Sequence, residues 1–434
     1  PVVGPLSWVD TNGATALNAS SEDIVSGSIL KIPFSDNLSG AKRFSVSVGG
    51  ITAPLASAAI SYAPDASTPP SAATPISPVA DAASTNNVFV LPDAIGSGVI
   101  YISNLTIGSS DGLYTVSVSA TDAAINTSES SSITIARDAT NPVINSVTVD
   151  SKIKETNSNQ YWLGTSTGPV APTNATVSIN LTEEGSGVTA ITLSGTVRVT
   201  ASTTVAVGGT LLTNGADYSL DITNNKINFP DSYNPRVRGS GITVTLGNVE
   251  FTSVNSSTPN SVTAVVTDFV SKPSASVTSG DAVYVDNTAP AITSVKVEDN
   301  AQNNTNGFEN DVWATGKYNY TNSDSVTLTV TTGSESAANG SGIKYLILDG
   351  AEFTAATTVT PAGGSALTGT YSGSVFTFAV PFTDVKTLTI TNVRISSAAE
   401  ETKTISVTPK DFVLNSGSPA AGNTITLDTT APVL

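Results

Sequence analysis

The sequence predicts an all-β chain made of three tandem antiparallel β-sandwiches of about 140–148 residues each, arranged as an elongated rod. Three observations predict this class. Apolar and polar residues alternate with a period of two, and no window gives a sustained helical stripe. Ser, Thr, Ala, Val, Gly and Asn supply most of the composition, and Ile and Val form short alternating runs, as in β-rich and turn-rich proteins. A six-residue motif also recurs three times at nearly equal spacing.

The recurring motif divides the chain. It reads RDATNP at 137–142, VDNTAP at 285–290 and LDTTAP at 427–432. The prolines of the motif, in register with Pro1, follow at intervals of 141, 148 and 142 residues. We therefore expect sandwich repeats at 1–139, 140–287 and 288–430, with 431–434 beginning a further repeat. Because the chain starts and stops at the same point of a repeat, we expect it to be a piece of a longer protein.

Other markers keep the same order in every repeat, which chance does not reproduce. A first alternating strand ends in an acid, an acidic turn precedes Ser-Gly, a strand is broken by proline, a strand closes on Asn, and a strand runs into Asp before the linker Asp. The markers are Asp10, Asp150 and Asp299; Asp36, Glu183 with Glu184, and Glu335; Pro92, Pro230 and Pro381; Asn104, Asn248 and Asn392, which are 144 residues apart; Asp122, Asp268 and Asp411; and Asp138, Asp286 and Asp428.

The strand that runs into Asp122, Asp268 or Asp411 indicates which of its faces is buried. Val116, Val118 and Ala120 have the parity of Asp122, and the same holds before Asp268 and Asp411. The apolar face of this strand therefore ends in a carboxylate at the rim of the sandwich. Seven or more short strands per repeat, with turns every 8 to 12 residues, are typical of sandwiches of the immunoglobulin type.

The composition excludes several classes of function. The chain has no His and no Cys, so the commonest general base and the usual zinc and iron ligands are missing, and we expect no enzyme. A net charge of -17 with only 18 Lys and Arg does not suit a phosphate backbone, so we expect no nucleic-acid partner. No run of 18 apolar residues occurs, so this segment is not expected to insert into a membrane.

The stretch from Asp111 to Asn126 reads D-G-x-Y-T-V-x-V-x-A-T-D-x-x-x-N and is followed by D-x-T-x-P at 138–142. This combination resembles the tandem bacterial immunoglobulin-like repeats of large surface adhesins, and similar repeats occur in surface-layer proteins. The resemblance covers the whole chain, but Lys272 replaces the Asn of this motif in the second repeat. It implies extracellular stalk or lattice modules of the cell surface, often stiffened by calcium between neighbours.

The recurring acids suggest a calcium site near the boundaries between repeats. Calcium prefers six to eight oxygen ligands, and two carboxylates about 4 Å apart repel by about 4 kcal/mol at an effective dielectric of 20, so converging acids need a cation. A linker in which Asp and Thr cap a turn, Pro limits rotation and no ion binds is the alternative. The candidate ligands are Asp36, Asp122, Asn126, Asp138, Asp150, Glu183, Glu184, Asp268, Asp286, Asp299, Glu335, Asp411, Asn415 and Asp428.

These features predict a structural, non-catalytic cell-surface segment, a stiff calcium-supported stalk of an adhesin or filament in which neighbouring repeats are each other's partners. Two alternatives remain open. One is a surface-layer subunit that self-associates into a lattice. The other is a module that binds a glycan or a host receptor through its variable inserts, with Trp162 and Trp313 as sugar platforms, although packing is the commoner role of such aromatics.

Overall fold

A computed structural model gives the fold. It describes residues 1–14, 29–49, 51, 54–77, 87–108, 110–155, 160–165, 167–230, 232–233, 236–299, 320–321, 324–334, 340–395, 401–427, 430 and 433. These residues form β-strands and two short 3₁₀ turns, at Pro70–Ala72 and Pro172–Asn174, and no α-helix. None of them forms a helix that is long and apolar enough to cross a membrane.

The strands fall into three sets, which we name unit 1, unit 2 and unit 3. Unit 1 contains β1 (Val2–Val3), β2 (Ser7–Val9), β3 (Ile29–Ser35), β4 (Ala41–Val48), β5 (Ala59–Ala63), β6 (Thr74–Ile76), β7 (Val88–Ile95), β8 (Ser97–Ser103), β9 (Gly112–Asp122) and β10 (Ser131–Arg137). Unit 2 contains β11 (Val143–Val149), β12 (Lys152–Lys154), β13 (Tyr161–Thr165), β14 (Gly168–Pro169), β15 (Ala175–Glu183), β16 (Val188–Gly195), β17 (Val197–Arg198), β18 (Thr204–Val207), β19 (Thr210–Leu211), β20 (Ser219–Asp221), β21 (Lys226–Asn228), β22 (Gly239–Phe251), β23 (Val262–Asp268), β24 (Val277–Thr278) and β25 (Val283–Tyr284). Unit 3 contains β26 (Ile292–Asp299), β27 (Tyr320–Thr321), β28 (Ser325–Thr332), β29 (Ile343–Asp349), β30 (Ala351–Glu352), β31 (Thr358–Pro361), β32 (Gly369–Ser372), β33 (Val375–Phe382), β34 (Thr387–Ile395), β35 (Thr402–Asp411) and β36 (Ala420–Leu427).

Each unit has two main sheets. In unit 1 they run β1-β3-β8-β5-β6, with β2 also paired to β3, and β10-β9-β4-β7. In unit 2 they run β11-β15-β22-β18-β19, with β17 on β22, and β20-β21-β16-β23-β24; a smaller sheet holds β12-β13-β14 with β25. In unit 3 they run β26-β28-β34-β30, with β31 on β34, and β27-β36-β35-β29-β33-β32. The pairing is antiparallel except for β13 with β25 and β27 with β36, so the predicted all-β sandwich class is confirmed.

A separate apolar core lies between the sheets of each unit. In unit 1, Leu30 and Ile32 of one sheet pack with Phe44 and Val46 of the other. Burying a side chain of this size contributes about 1.5–3 kcal/mol. The largest apolar clusters of the described residues run from Leu6 to Ile135, from Ile144 to Val285 and from Val297 to Ile425, and none shares a residue with another unit.

In each unit one strand, namely β9, β23 or β35, carries its apolar side chains on a buried face that ends in a buried Asp. In β9 the side chains of Val116, Val118, Ala120 and Asp122 are buried and those between them are not. The same alternation runs along β23 to Asp268 and along the last part of β35 to Asp411. The predicted parity is therefore confirmed, and it places one carboxylate at the same rim of every unit.

The Asn predicted to close a strand in each repeat does so only in unit 1, but it has a common backbone conformation in all three units. Asn104, Asn248 and Asn392 have φ of 56°, 55° and 56°. Asn tolerates this left-handed region better than most residues do. In units 2 and 3 the carbonyl oxygens of Asn248 and Asn392 also accept hydrogen bonds from threonine hydroxyls. Asn104 follows β8, but Asn248 and Asn392 lie inside β22 and β34, where the pairing register shifts. The 144-residue spacing of this marker thus reports a recurrent irregularity of the backbone rather than a functional site.

The described tryptophans belong to the cores. Trp8 is 1% exposed, and Trp162 is 5% exposed with its ring 5.4 Å from that of Tyr284. A side chain buried to this degree offers no open face to a sugar ring, so the packing role, which the sequence favours over a sugar platform, is confirmed for Trp162. Trp313 lies outside the described residues.

Candidate metal centres at the joints between units

The acidic turn before Ser-Gly has the same hydrogen bonds in units 1 and 2. Asp36 Oδ1 accepts the N–H of Leu38 at 3.0 Å and that of Gly40 at 2.8 Å. Glu183 Oε1 accepts the N–H of Gly185 at 2.8 Å and that of Gly187 at 3.1 Å. Gly40 and Gly187 have φ of +76° and +90°, which explains why glycine follows serine here. The sequence therefore folds this turn around one carboxylate.

The turn after β9, β23 and β35 also recurs. Asp122, Asp268 and Asp411 each accept a hydrogen bond from the N–H four residues later, at 2.8, 2.7 and 2.8 Å. Between the two partners, Ile125, Ser271 and Leu414 have φ of 70°, 68° and 71°. A non-glycine residue in this region is unusual, and three in equivalent places indicate that the turn is held by the carboxylate that it surrounds.

The first joint is the place where unit 1 meets unit 2. Ligand atoms of Asp138, Glu183 and Asp268 all lie within 4.8 Å of one another, and among the described residues no other group of three metal-binding side chains comes this close. Asp138 belongs to the linker after unit 1, whereas Glu183 and Asp268 belong to unit 2. Asp138 Oδ2 accepts the N–H of Ser186 at 2.9 Å and its hydroxyl at 2.5 Å. The linker carboxylate is therefore bound inside the following unit.

One oxygen of this cluster has no partner. Asp268 is 0% exposed, and its Oδ2 accepts no hydrogen bond from the described part of the chain. A buried carboxylate oxygen in this position carries the full cost of its desolvation unless a cation or a proton satisfies it.

Cationic side chains surround the first joint. Lys272 Nζ lies 3.2 Å from Asp138 Oδ1 and 2.8 Å from the carbonyl oxygen of the same residue. Arg236 Nη1 and Arg238 Nη2 donate to the carbonyl oxygen of Ser186 at 2.8 and 3.1 Å. The charge of Lys272 thus lies next to the carboxylate that a metal ion at this joint would use, and the two arginines bind the backbone of the serine that holds this carboxylate.

The second joint, between units 2 and 3, repeats the arrangement with uncharged partners. The linker Asp286 is 3% exposed, and its Oδ2 accepts the N–H of Ser341 at 2.7 Å. Asn415 Nδ2 donates to the carbonyl oxygen of Asp286 at 3.1 Å and to Asp411 Oδ2 at 2.7 Å. The hydroxyl of Ser341, which is 4% exposed, has no hydrogen-bond partner within the described ranges.

Burial and mutual repulsion raise the pKa of the clustered acids. Burial raises the pKa of Glu183 to about 7 and that of Asp268 to about 6, and the negative charge of Asp138 adds to both shifts. Burial and the charge of Asp286 raise the pKa of Asp411 to about 7. Glu183 and Asp268 at the first joint and Asp411 at the second therefore lie where their charged forms are disfavoured.

Each linker is also tied to the unit from which it comes. Asp111 Oδ1 accepts the N–H of Ala139 at 2.7 Å, and its Oδ2 accepts the N–H of Thr140 at 2.9 Å. In unit 2 an uncharged residue does the same, because Asn255 bonds Asn287 at 2.7 and 3.0 Å and the hydroxyl of Thr288 at 2.8 Å. The preceding unit therefore binds the two residues after each described linker Asp, and the following unit binds the Asp itself.

The structure gathers part of the predicted ligand set. Asp138, Glu183 and Asp268 meet at the first joint, and Asp286, Asp411 and Asn415 meet at the second. Asp36, Asp122 and Asn126 share the corresponding rim of unit 1, where Ala123 donates to Gly40 and Asn126 Nδ2 donates to Asp122. Glu184 is exposed beside this set, in a cleft with Asp111 and Arg137. Glu335 and Asp428 lie outside the described residues.

Two predicted ligands lie at the far end of their sheet. Asp150 follows β11, its N–H bonds Thr176 and its side chain bonds Thr148 and Ser178. Thr176 is the second residue of β15 and Glu183 is its last. About 23 Å of strand therefore separates the place of Asp150 from that of Glu183. The backbone of Asp299 has the same placement, since it pairs with Val326 at the start of β28. The structure does not bring these two acids to a joint.

Sequence reasoning missed several residues of the joints. Ser186 and Ser341 belong to the recurring Ser-Gly, which signals them, and Asp111 opens the motif that ends at Asn126. Lys272 entered only as a departure from that motif. Arg236 and Arg238 follow a segment without a repeated marker, so no pattern in one sequence indicates them.

The donor atoms fit calcium differently at the two joints. Carboxylate, carbonyl, amide and hydroxyl oxygens are the ligands that calcium prefers. The second joint offers Asp286, Asp411, Asn415 and the unpartnered hydroxyl of Ser341, and no ion pair of the described residues includes either acid. The first joint offers three carboxylates, but an ammonium already lies against one of them. The second joint fits the ion, and the first does so only if Lys272 moves away.

The chain matches no protein-family model and no curated protein. Similar solved structures include the C-terminal domain of the antigen I/II polypeptide BspA of Streptococcus agalactiae, with 10% identity and a TM-score of 0.30 over 63% of this chain and 99% of that one. A tetra-tandem repeat from the extending region of a large adhesion protein has 16% identity and a TM-score of 0.23 over 99% and 92%. The full-length major pilin RrgB of Streptococcus pneumoniae has 10% identity and a TM-score of 0.21 over 92% and 63%. These identities and TM-scores are low, and we draw no function from them.

Proposed function

We propose that this chain is a structural, non-catalytic segment of a cell-surface protein, a stalk whose task is to hold successive β-sandwiches in a fixed relation. One observation carries the proposal: the carboxylate of each described linker Asp is hydrogen-bonded inside the next unit. A flexible tether between independent domains has no need of such a contact. The resemblance of the linker motif to adhesin repeats supports a location at the cell surface.

The stiffness of a joint follows from bonds on both sides of the linker. At the first joint Asp111 holds residues 139 and 140 from unit 1, and Ser186 holds Asp138 from unit 2. A hydrogen bond that involves a charged group contributes about 1.5–3 kcal/mol. Several such bonds across a few residues restrict the angle between the units far more than proline alone.

Calcium supports the stalk in this proposal, with Asp286, Asp411 and Asn415 of the second joint as ligands. A divalent ion there offsets the repulsion between two buried carboxylates. Extracellular calcium modules bind at about 10⁻⁴ to 10⁻³ M, so such a site fills in a calcium-rich medium and empties in chelator.

The absence of cysteine makes the stiffness measurable, since introduced cysteines are the only sites for spin labels. The exposed residues Ser47, Ser194 and Thr389 place one label in each unit. In the full chain with calcium, pairs 47/194 and 194/389 should give narrow distance distributions by pulsed electron paramagnetic resonance. Distributions as broad as those of a flexible linker would contradict the proposal. Ordered sheets on addition of calcium would instead indicate a lattice subunit.

A further inference from the structure

We propose that Lys272 is a built-in cation of the first joint, so that this joint closes without a divalent metal whereas the second joint requires one. This inference rests on the proposed function, because it concerns what holds the joints of a stalk. It divides two joints that the repeated motif makes look equivalent.

The equivalence of Lys272 and Asn415 is the first step. Lys272 lies four positions after Asp268, the last residue of β23, and donates its N–H to that carboxylate at 2.7 Å. Asn415 lies four positions after Asp411, the last residue of β35, and does the same at 2.8 Å. Each side chain then donates to the carbonyl oxygen of the preceding linker Asp, at 2.8 Å from Lys272 and 3.1 Å from Asn415. The two side chains therefore occupy the same place, and they differ in charge.

The charge of Lys272 meets the linker carboxylate directly. Its Nζ lies 3.2 Å from Asp138 Oδ1, and the Asp138 side chain is 2% exposed. Water screens such a pair poorly, so the ammonium takes the part of a counter-ion. It also disfavours the arrival of a second cation at the same carboxylate by like-charge repulsion.

The surroundings of the two joints differ in the same sense. Gly187 packs against Arg236, which with Arg238 binds the carbonyl oxygen of Ser186. The corresponding Gly342 packs against Pro381 and Phe382. Cationic side chains therefore line the first joint, and uncharged ones occupy these places at the second.

The unpartnered oxygen of Asp268 marks the divalent-cation site that Lys272 keeps closed in this inference. Asp268 Oδ2 lies in the cluster with Asp138 and Glu183 and accepts no bond from the described residues. With an uncharged side chain at position 272, three carboxylates would converge with no internal cation. The variant Lys272→Asn should therefore open a divalent site that the natural chain keeps closed.

A reciprocal exchange tests the inference in the full, spin-labelled chain. The 47/194 pair reports the first joint and the 194/389 pair the second, each in calcium and in chelator. Lys272→Asn gives the first joint the side chain of the second, and Asn415→Lys does the reverse. Lys226→Asn removes the same charge from unit 2 beside Thr192 of β16, four residues from Val188 at the joint, and is the matched control.

We expect chelator to broaden only the 194/389 distribution of the natural chain and of Lys226→Asn. Lys272→Asn should make the 47/194 distribution sensitive to chelator, and calorimetric titration should show about one more calcium bound per chain than in the control. Asn415→Lys should abolish the chelator response of the second joint and remove about one bound calcium.

The opposite outcomes separate this inference from the proposed function. If chelator broadens the first joint of the natural chain, or if Lys272→Asn stays narrow in chelator and binds no additional calcium, Lys272 is not the internal cation although the stalk proposal stands. If both joints are broad in calcium, the stalk proposal fails and the inference with it. Should Lys272→Asn unfold, Asn415→Lys decides alone, because its second joint must then stay narrow in chelator.

Discussion

At the residue scale, the first joint depends on a position where only glycine fits. A Cβ on Gly185 would lie 2.4 Å from Asp138 Cγ, and the Asp138 side chain cannot retreat without losing its bonds to Ser186. Gly185→Ala should therefore displace the linker and cost about 1–3 kcal/mol, as overpacking does in well-packed sites. Chemical denaturation of the full chain measures the cost, and the 47/194 label pair measures the loosened joint.

Gly168→Ala provides the matched control for this change. Gly168 belongs to the same unit, and a Cβ there meets nothing within 4 Å. If the two variants lose equal stability, the contact between Gly185 and the linker is not what holds the joint.

The buried acids of the first joint should make unit 2 sensitive to pH. In chelator, the pKa values of Glu183 and Asp268 are raised to about 7 and about 6 from ordinary values of 4.5 and 3.8. The folded state thus binds these protons more tightly than the unfolded state. The resulting stability is complete below the ordinary pKa values and is lost as pH rises through 6 to 7.

We therefore expect the urea midpoint of unit 2 in chelator to fall between about pH 5 and about pH 8. Glu183→Gln, which cannot ionise, should flatten much of the fall, and the exposed Glu129→Gln should leave it unchanged. A midpoint that rises over this range would contradict the assignment.

At the element scale, strand parity and turn chemistry were open to prediction from the sequence. The alternation before Asp122 gave the buried face, and the spacing of Asn104, Asn248 and Asn392 marked a recurrent left-handed residue, which lies inside a strand in units 2 and 3. Both are local properties, fixed by residues that are close in the chain.

The partners of the linker Asp were not open to prediction in the same way. Asp138 could have met the acids of unit 1 or of unit 2, and Glu183 lies 45 residues further along the sequence. Which unit binds it depends on the path of the chain between two sandwiches, which period-two patterns do not encode. The place of Asp150 was accessible, because an acid that ends a seven-residue strand cannot return to its beginning.

The linker is also an element whose anchorage can be tested. Asp111→Ala would remove the acceptor of the N–H groups of residues 139 and 140, and because these residues are exposed we expect the loss of each bond to cost about 0.5–1.5 kcal/mol. We expect a broader 47/194 distribution and a lower melting temperature of unit 1. Asp93→Ala, which removes an exposed carboxylate from the same unit, should change neither.

At the scale of the whole molecule, three separate cores predict that calcium acts on one unit rather than on all of them. Ser341, Asp411 and Asn415 of the second joint belong to unit 3, so an ion bound there stabilises the folded form of that unit. A hundredfold excess over the dissociation constant contributes about 2.7 kcal/mol, or roughly 5–10 °C in the unfolding midpoint.

Calorimetry of the full chain in chelator and in calcium checks this prediction. One transition should move and the others should not, and Asp411→Asn should cancel the movement. A shift that persists in Asp411→Asn would place the ion elsewhere.

The shared position of the linker Asp also affects how such a protein can be rearranged. A segment transplanted from its first core strand onward would carry Glu183 and Asp268 but leave Asp138 behind, so the recipient neighbour would have to supply an acid at the right distance. The cassette that can be duplicated or shuffled intact therefore begins a few residues upstream of the sandwich itself, at residue 138, and stops before the next such acid at residue 286. Copies with these boundaries would assemble in any order, because each would contain both a linker Asp and the residues that bind it.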